Sequence, residues 1–198
     1  MSTKFFNLNL TATTKTLYDY LTNTCLSHGS YLNPVKVGPF IHGWTKENTY
    51  QGPNGEIPAI DESMPQIDDS YDAIRWRSRE TDWLNYDDRI GQPILQYIEI
   101  VNLNPFGDNG TPKYYQPMTK SDWKQYFKPY DEDGFHVSPN GKLYITPEDK
   151  DGNSASVEIK GNNPGIYVGF NVVFLLPVDG VNYCCIIDPL INIRPKRD

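Results

Sequence analysis

Short runs in which apolar and polar residues alternate recur along the chain and constrain its fold more than any other feature. In residues 6–10 apolar side chains alternate with asparagine, and in residues 73–79 Ile74 and Trp76 fall on one side while the arginines fall on the other. Successive side chains of a β-strand point to opposite faces of a sheet. Each run therefore predicts a half-buried strand, with Trp76 packed in the core.

Further segments extend this pattern. Residues 93–101 are apolar on both faces, which is typical of a strand covered on two sides. Residues 142–145 and 156–159 predict two short strands, and residues 166–176 and 183–193 predict a hairpin that turns around Val178-Asp179-Gly180. Helical patterns are confined to residues 14–25 and 121–127, with Ser121 as the candidate N-cap of the second helix.

The composition favours turns over long helices. The chain has 17 Asp and 17 Asn but only 8 Glu, and Asp and Asn are turn residues rather than helix formers. Two long irregular stretches, residues 44–71 and 104–141, indicate elaborated loops over one core. The sequence therefore predicts an all-β fold: a single immunoglobulin-like or jelly-roll β-sandwich spanning residues 1–198, with long loops and one or two short helices.

The charge balance disfavours two classes of partner. The chain has 18 basic and 25 acidic side chains, a net charge of −7, and its longest basic run is Lys196-Arg197. Nucleic acids and anionic membranes both bind clustered positive charge, so neither is expected as a partner.

The expected compartment is the cytoplasm. The first residues lack the apolar core of a secretory peptide, and no stretch reaches the roughly 18 apolar residues of a membrane span. Cys25, Cys184 and Cys185 form an odd and small set, which indicates reduced thiols used for packing rather than a redox motif.

No local motif assigns a catalytic residue, a cofactor or a metal ligand. His28, His42 and His136 lack zinc spacing, and neither Gly-x-Ser-x-Gly nor a glycine-rich phosphate loop occurs. The acidic turns at residues 131–134 and 149–153 could serve Ca²⁺ but lack the full ligand spacing of an EF-hand loop, so solvated turns are the simpler interpretation.

Aromatic residues in or beside the predicted loops leave two interpretations open. An exposed ring beside an Asp or Asn can stack on a sugar while the polar group binds hydroxyls, whereas a buried ring would close the end of the sandwich. The residues concerned are Trp44, Trp83, Trp123, Tyr114, Tyr115, Tyr126 and Tyr130.

Two segments together resemble a known family. Residues 69–77, Asp-Ser-Tyr-Asp-Ala-Ile-Arg-Trp-Arg, resemble the Gly-Asp-x-Ile-Arg-Trp-Arg strand of the PixA/AidA inclusion-body proteins, with Tyr71 in place of the glycine. The Tyr167-x-x-Phe170 strand, the turn after it and Asp188-Pro189-Leu190-Ile191 are similar to the closing hairpin of that family.

The resemblance implies an immunoglobulin-like sandwich in a cytoplasmic protein that accumulates, in some members as crystalline inclusions, in host-associated bacteria. It brings no catalytic activity and no cofactor. It also implies structural roles for the motif, with Trp76 in the core and Arg75 and Arg77 offering charge to neighbouring acids. The leading hypothesis is a non-enzymatic protein that self-associates as a homo-oligomer or larger assembly. The alternatives are a lectin-like protein that binds a glycan, with or without Ca²⁺, and a hydrolase whose site residues are distant in sequence.

Overall fold

The computed structural model describes residues 3–12, 14–44, 66–67, 70–78, 89–103, 116–148, 152, 154–188 and 190–193. Within these ranges the chain forms thirteen strands, two α-helices and one turn of 3-10 helix at Gly38–Phe40. The elements in chain order are β1 (Phe5–Ala12), α1 (Thr14–Asn23), β2 (Val35–Lys36), β3 (Ile41–Trp44), β4 (Gln66–Ile67), β5 (Ala73–Ser78), β6 (Ile94–Asn102), α2 (Lys120–Trp123), β7 (Phe127–Pro129), β8 (Phe135–Val137), β9 (Leu143–Ile145), β10 (Ser154–Ile159), β11 (Ile166–Val178), β12 (Val181–Ile187) and β13 (Leu190–Ile193).

The strands form two sheets. The first sheet has the order β3-β1-β5-β10-β7, and the second has the order β2-β12-β11-β6-β9-β8, with β13 pairing with both β11 and β4. Most neighbours are antiparallel, but β1 pairs with β5, β2 with β12 and β4 with β13 in parallel. The prediction of an all-β sandwich with short helices is confirmed, while the assignment of residues 1–198 to a single domain stays a prediction.

The core lies between the two sheets, and Trp76 joins them. Its side chain is 1% exposed. From β5 of the first sheet, its ring meets the ring of Phe170 on β11 edge to face, with 5.6 Å between centroids. The burial of Trp76 predicted from the alternation of residues 73–79 is therefore confirmed. The apolar face of β11 predicted from the sequence is likewise buried, and it consists of Val168, Phe170, Val172, Phe174 and Leu176.

The terminal hairpin turns where the sequence predicts. Asp179 and Gly180 connect β11 to β12, and both have positive φ values, 49° and 77°. Two successive residues with positive φ match the right-handed twist of a hairpin, and Gly adopts this conformation without strain. Strand β11 pairs with β12 and then with β13 in one continuous antiparallel register.

The second helix differs from the prediction. It spans Lys120–Trp123, and its N-cap is Thr119 rather than Ser121. Thr119 and Asp122 form a capping box: the backbone N–H of Asp122 donates to the Thr119 hydroxyl at 3.2 Å, and the backbone N–H of Thr119 donates to the Asp122 carboxylate at 2.9 Å. The helix ends early because Phe127 begins β7, where it is buried opposite Ile159 of β10.

The predicted long loops contain regular elements. β4 lies within residues 44–71, and α2, β7 and β8 lie within residues 104–141. The remainder of these two stretches falls largely outside the described residues, at 45–65, 68–69 and 104–115. Neither α-helix of the described ranges has the length and apolar character needed to cross a membrane.

Candidate functional site

The segment between α1 and β2 carries the most exposed large apolar side chains of the described residues. Leu26 and Leu32 are 105% and 99% exposed, and Tyr31 is 53% exposed. A single exposed leucine is common on protein surfaces, but three large exposed apolar side chains within seven residues are not. We call residues 24–34 the leucine loop.

The leucine loop is anchored to the second sheet on both sides of Gly29. The backbone N–H of Cys184 donates to the carbonyl oxygen of His28 at 2.8 Å. The ring of His28 packs edge to face on that of Tyr183, with 4.8 Å between centroids. Farther along the loop, the hydroxyl of Tyr31 donates to Oε1 of Gln96 at 2.9 Å. These contacts hold the loop against β12 and β6, so the leucines are displayed by a fixed backbone.

A narrow cleft opens where β7 of the first sheet approaches β8 and β9 of the second. It encloses about 30 Å³, which is room for a single water. We call it the tyrosine cleft, because Tyr130 is the exposed aromatic residue in its wall. Polar groups of the wall include Asp131, Thr146, Glu148 and Ser156.

Tyr130 is supported from behind by a stack of side chains on the outer face of the first sheet. Its ring stacks on that of Phe5 with 6.1 Å between centroids, and the guanidinium of Arg75 lies 3.5 Å from the centroid of Phe5. Nε of Arg75 also donates to the Ser156 hydroxyl at 3.2 Å. Arg75 was predicted to offer its charge to acids; these contacts use a ring and a hydroxyl instead. Burial, followed by the charge of Glu158, raises the pKa of the Tyr130 phenol, which therefore stays protonated at neutral pH.

Glu99 lies on the outer face of the second sheet, and both of its carboxylate oxygens accept hydrogen bonds from side chains. Nζ of Lys142 and Nδ2 of Asn171 donate to its Oε1 at 2.9 and 2.7 Å, and the hydroxyl of Tyr144 donates to its Oε2 at 2.5 Å. Burial alone would raise the pKa of Glu99, but these hydrogen bonds and the Lys142 charge outweigh it and hold the pKa below its usual value. A carboxylate stabilised in its ionised form by three donors is suited to a structural role rather than to proton transfer.

The structure separates the aromatic residues singled out in the sequence. Trp123 is fully buried and donates from Nε1 to the carbonyl oxygen of Gly141 at 2.9 Å, so it closes the core rather than binding a ligand. Tyr126 is partly buried against the same core. Tyr130 is exposed and lies at the tyrosine cleft, and Trp44 lies on β3. The other three, Trp83, Tyr114 and Tyr115, lie outside the described residues.

The cysteines occupy packing positions. Cys184 and Cys185 are buried and Cys25 is partly buried, and all three are free thiols. Burial raises the pKa of both Cys184 and Cys185, which keeps these thiols protonated and unreactive. Across the described ranges, no three His, Cys, Asp or Glu side chains come together as a metal site. The predicted acidic turn at 149–153 lies outside these ranges except for Gly152.

Sequence reasoning missed the leucine loop. Its leucines sit among Ser, Gly and Asn with no alternation, and that departure from an otherwise polar segment is the signal that could have been followed. The acidic turn that begins at Asp131 is visible in the sequence, but the approach of Ser156 to Tyr130 depends on strand pairing between β7 and β10.

The chain is similar to a solved structure, although its sequence matches no family model or curated protein. The crystal structure of an inclusion body protein (PixA) from Burkholderia cenocepacia J2315 is similar to this chain over 98% of this chain and 96% of that one, with a TM-score of 0.42 and 6% sequence identity. That protein carries the name of the family that residues 69–77 and the C-terminal hairpin resemble.

Proposed function

We propose that this protein is a non-enzymatic, self-associating protein of the PixA/AidA inclusion-body type that accumulates in the cytoplasm of a host-associated bacterium. The observation that carries the proposal is the leucine loop, which holds Leu26 and Leu32 almost fully in water on an anchored backbone. The motif resemblance of residues 69–77 supports the same assignment, because its Ile74 and Trp76 serve the sandwich core.

The apolar area of the leucine loop sets the strength of the association. Burying one leucine side chain contributes about 2 kcal/mol, so one leucine loop contributes about 5 kcal/mol and two loops that face each other contribute about 10 kcal/mol. Bringing two molecules together costs about 4–15 kcal/mol in lost translational and rotational freedom. The leucine loop alone therefore supports association that becomes appreciable only at high protein concentration, as expected for a protein that accumulates.

The first test removes the two leucines. The double variant Leu26→Ser/Leu32→Ser is expected to weaken self-association at least about tenfold, because two apolar side chains no longer leave water. The measurement is sedimentation velocity over a concentration series. The matched control is Val181→Ser, since Val181 is also apolar and 41% exposed but lies beside the hairpin turn. A wild-type chain that stays monomeric at the highest concentration, or a double variant that associates as the wild type does, contradicts the proposal.

The tyrosine cleft favours a second candidate function, a lectin-like protein that binds a glycan. Tyr130 offers an exposed ring, and Asp131 and Glu148 offer carboxylates that can accept hydrogen bonds from hydroxyls. The cleft encloses about 30 Å³, too little for a sugar ring. A sugar would therefore stack on Tyr130 at the rim, with only its hydroxyls reaching the carboxylates.

A glycan array probed with and without Ca²⁺ tests this second candidate. If a glycan binds at the rim, Tyr130→Ala is expected to lower the signal about tenfold or more, since stacking on an aromatic ring is lost. Tyr31→Ala is the matched control, because Tyr31 is similarly exposed but lies in the leucine loop. An array that is silent for the wild type both with calcium and with chelator removes the lectin hypothesis.

A further inference from the structure

A third surface feature lies apart from the leucine loop and shares only Pro129 with the wall of the tyrosine cleft. It is a hollow of about 220 Å³ between the end of α2, strand β7 and the residue that follows β10. We call it the lysine hollow. Its wall consists of Lys124, Phe127, Lys128, Pro129, Glu132 and Lys160, and carbon atoms of these residues make up most of the wall's surface.

The lysine hollow is positively charged in an acidic protein. Glu132 accepts from two lysines, with its carboxylate 2.6 Å from Nζ of Lys124 and 3.2 Å from Nζ of Lys120. Nζ of Lys128 lies 2.9 Å from the Glu158 carboxylate. The wall of the hollow itself carries the three ammonium groups of Lys124, Lys128 and Lys160 and the one carboxylate of Glu132, an excess of positive charge, whereas the whole chain carries −7.

Among these lysines, Lys160 has the ammonium group whose charge is compensated least. Its Nζ contacts the carbonyl oxygen of Lys124 at 3.3 Å, a neutral acceptor that positions the group without cancelling its charge. Its backbone N–H donates to the carbonyl oxygen of Tyr126 at 2.8 Å, which fixes the residue at the mouth of the hollow.

We infer that the lysine hollow binds a small organic anion that has an apolar body and a single carboxylate, sulfonate or phosphate head. The apolar body would pack on Pro129 and the aliphatic stems of the lysines, which expose carbon while their ammonium groups stay in water. The anionic head would lie at Lys128 and Lys160. Ammonium groups act as point charges and place no demand for a planar, two-pronged head, so the three head groups belong to one ligand chemistry.

The experiment is a titration of the isotope-labelled full chain with 8-anilinonaphthalene-1-sulfonate, followed by amide chemical shifts in NMR spectra. The expected shift changes cluster at residues 124–132 and 158–160. In the double variant Lys128→Gln/Lys160→Gln the affinity is expected to fall about tenfold, because two charge-assisted contacts are lost. Lys15→Gln/Lys36→Gln removes the same charge from exposed lysines elsewhere and is expected to leave the affinity unchanged.

Three results would overturn this inference. Shift changes centred on residues 24–34 would show that the naphthyl group prefers the leucine loop. Equal affinity in the two double variants, or binding unaffected by added phosphate, would show that the head group is not recognised at the lysine hollow. A poly-glutamate peptide that shifts the same amides while the sulfonate does not would assign the surface to an acidic protein segment instead. Each readout is independent of self-association, so the proposed function can fail while this inference stands.

Discussion

Replacing Trp76 with alanine is expected to lower the free energy of unfolding by about 3–5 kcal/mol. The indole is 1% exposed and meets Phe170 of the opposite sheet edge to face. Its removal opens a cavity between the two sheets, and a close-packed core relaxes only partly into such a space. Equilibrium urea unfolding measures the loss as a lower midpoint with an unchanged slope.

Phenylalanine at the same position separates packing from hydrogen bonding. Within the described residues, Nε1 of Trp76 is buried without a hydrogen-bond partner. Trp76→Phe therefore removes part of the ring but breaks no hydrogen bond, and it is expected to cost only about 1–2 kcal/mol. The surface control Leu26→Ala, at a side chain that is 105% exposed, is expected to change stability by less than about 0.5 kcal/mol. If Trp76→Phe cost as much as Trp76→Ala, packing between the sheets would not be the main contribution of this residue.

Strands with a long local pattern, either alternating in polarity or apolar on both faces, could be predicted from the sequence. Residues 73–79 become β5 (Ala73–Ser78), and residues 93–101 become β6 (Ile94–Asn102), each within one residue at either end. The terminal hairpin is correct because Asp-Gly is a strong local turn signal between two apolar arms. In these segments the local pattern and the burial in the fold agree.

Short and distant elements could not be predicted. β7 and β8 have three residues each, too few to display a period of two. The parallel pairing of β1 with β5 joins residues almost seventy positions apart, for example Phe6 with Ile74, and nothing local encodes it. The N-cap of α2 was placed two residues late because Thr119 and Ser121 are both good caps, and only the reciprocal bond with Asp122 decides between them.

The candidate sites could likewise be predicted only where their residues are neighbours in the sequence. That Tyr130 and Asp131 lie together is visible in the sequence, whereas Ser156 reaches them only through the antiparallel register in which Val157 pairs with Pro129. The exposure of Leu32 could not be predicted at all. Whether a leucine in a loop is buried depends on what the fold places over it, and nothing in the described structure covers this one.

Replacing Glu99 with glutamine is expected to lower the free energy of unfolding and to change how that free energy depends on pH. The Glu99 carboxylate is 11% exposed and accepts from Lys142, Asn171 and Tyr144. Glu99→Gln replaces one carboxylate oxygen with an NH₂ group that cannot accept a hydrogen bond, and it leaves the Lys142 ammonium without its counter-charge. The expected loss at pH 7 is about 2–3 kcal/mol.

The pH dependence has a definite sign. Burial alone would raise the pKa of Glu99, but the hydrogen bonds and the Lys142 charge lower it overall from its usual 4.5. The folded state therefore binds fewer protons at Glu99 than the unfolded state does, so this carboxylate stabilises the fold above about pH 4.5. That contribution is lost as the pH falls through the lower pKa of the folded state.

Urea unfolding of the wild type and of Glu99→Gln at several pH values between 7 and 3 tests both the loss of stability and its pH dependence. The stability difference between the two proteins is expected to be full at neutral pH and to shrink as the pH falls below about 4.5, where Glu99 of the unfolded wild type takes up a proton while the folded carboxylate is still ionised. Glu158→Gln is the matched control, because Glu158 is likewise paired with a lysine but its side chain is 30% exposed. A more exposed ion pair contributes less than about 1 kcal/mol. Equal losses in the two variants, or a Glu99→Gln difference that stays constant down to pH 3, would show that the three donors do not hold Glu99 ionised in the folded protein.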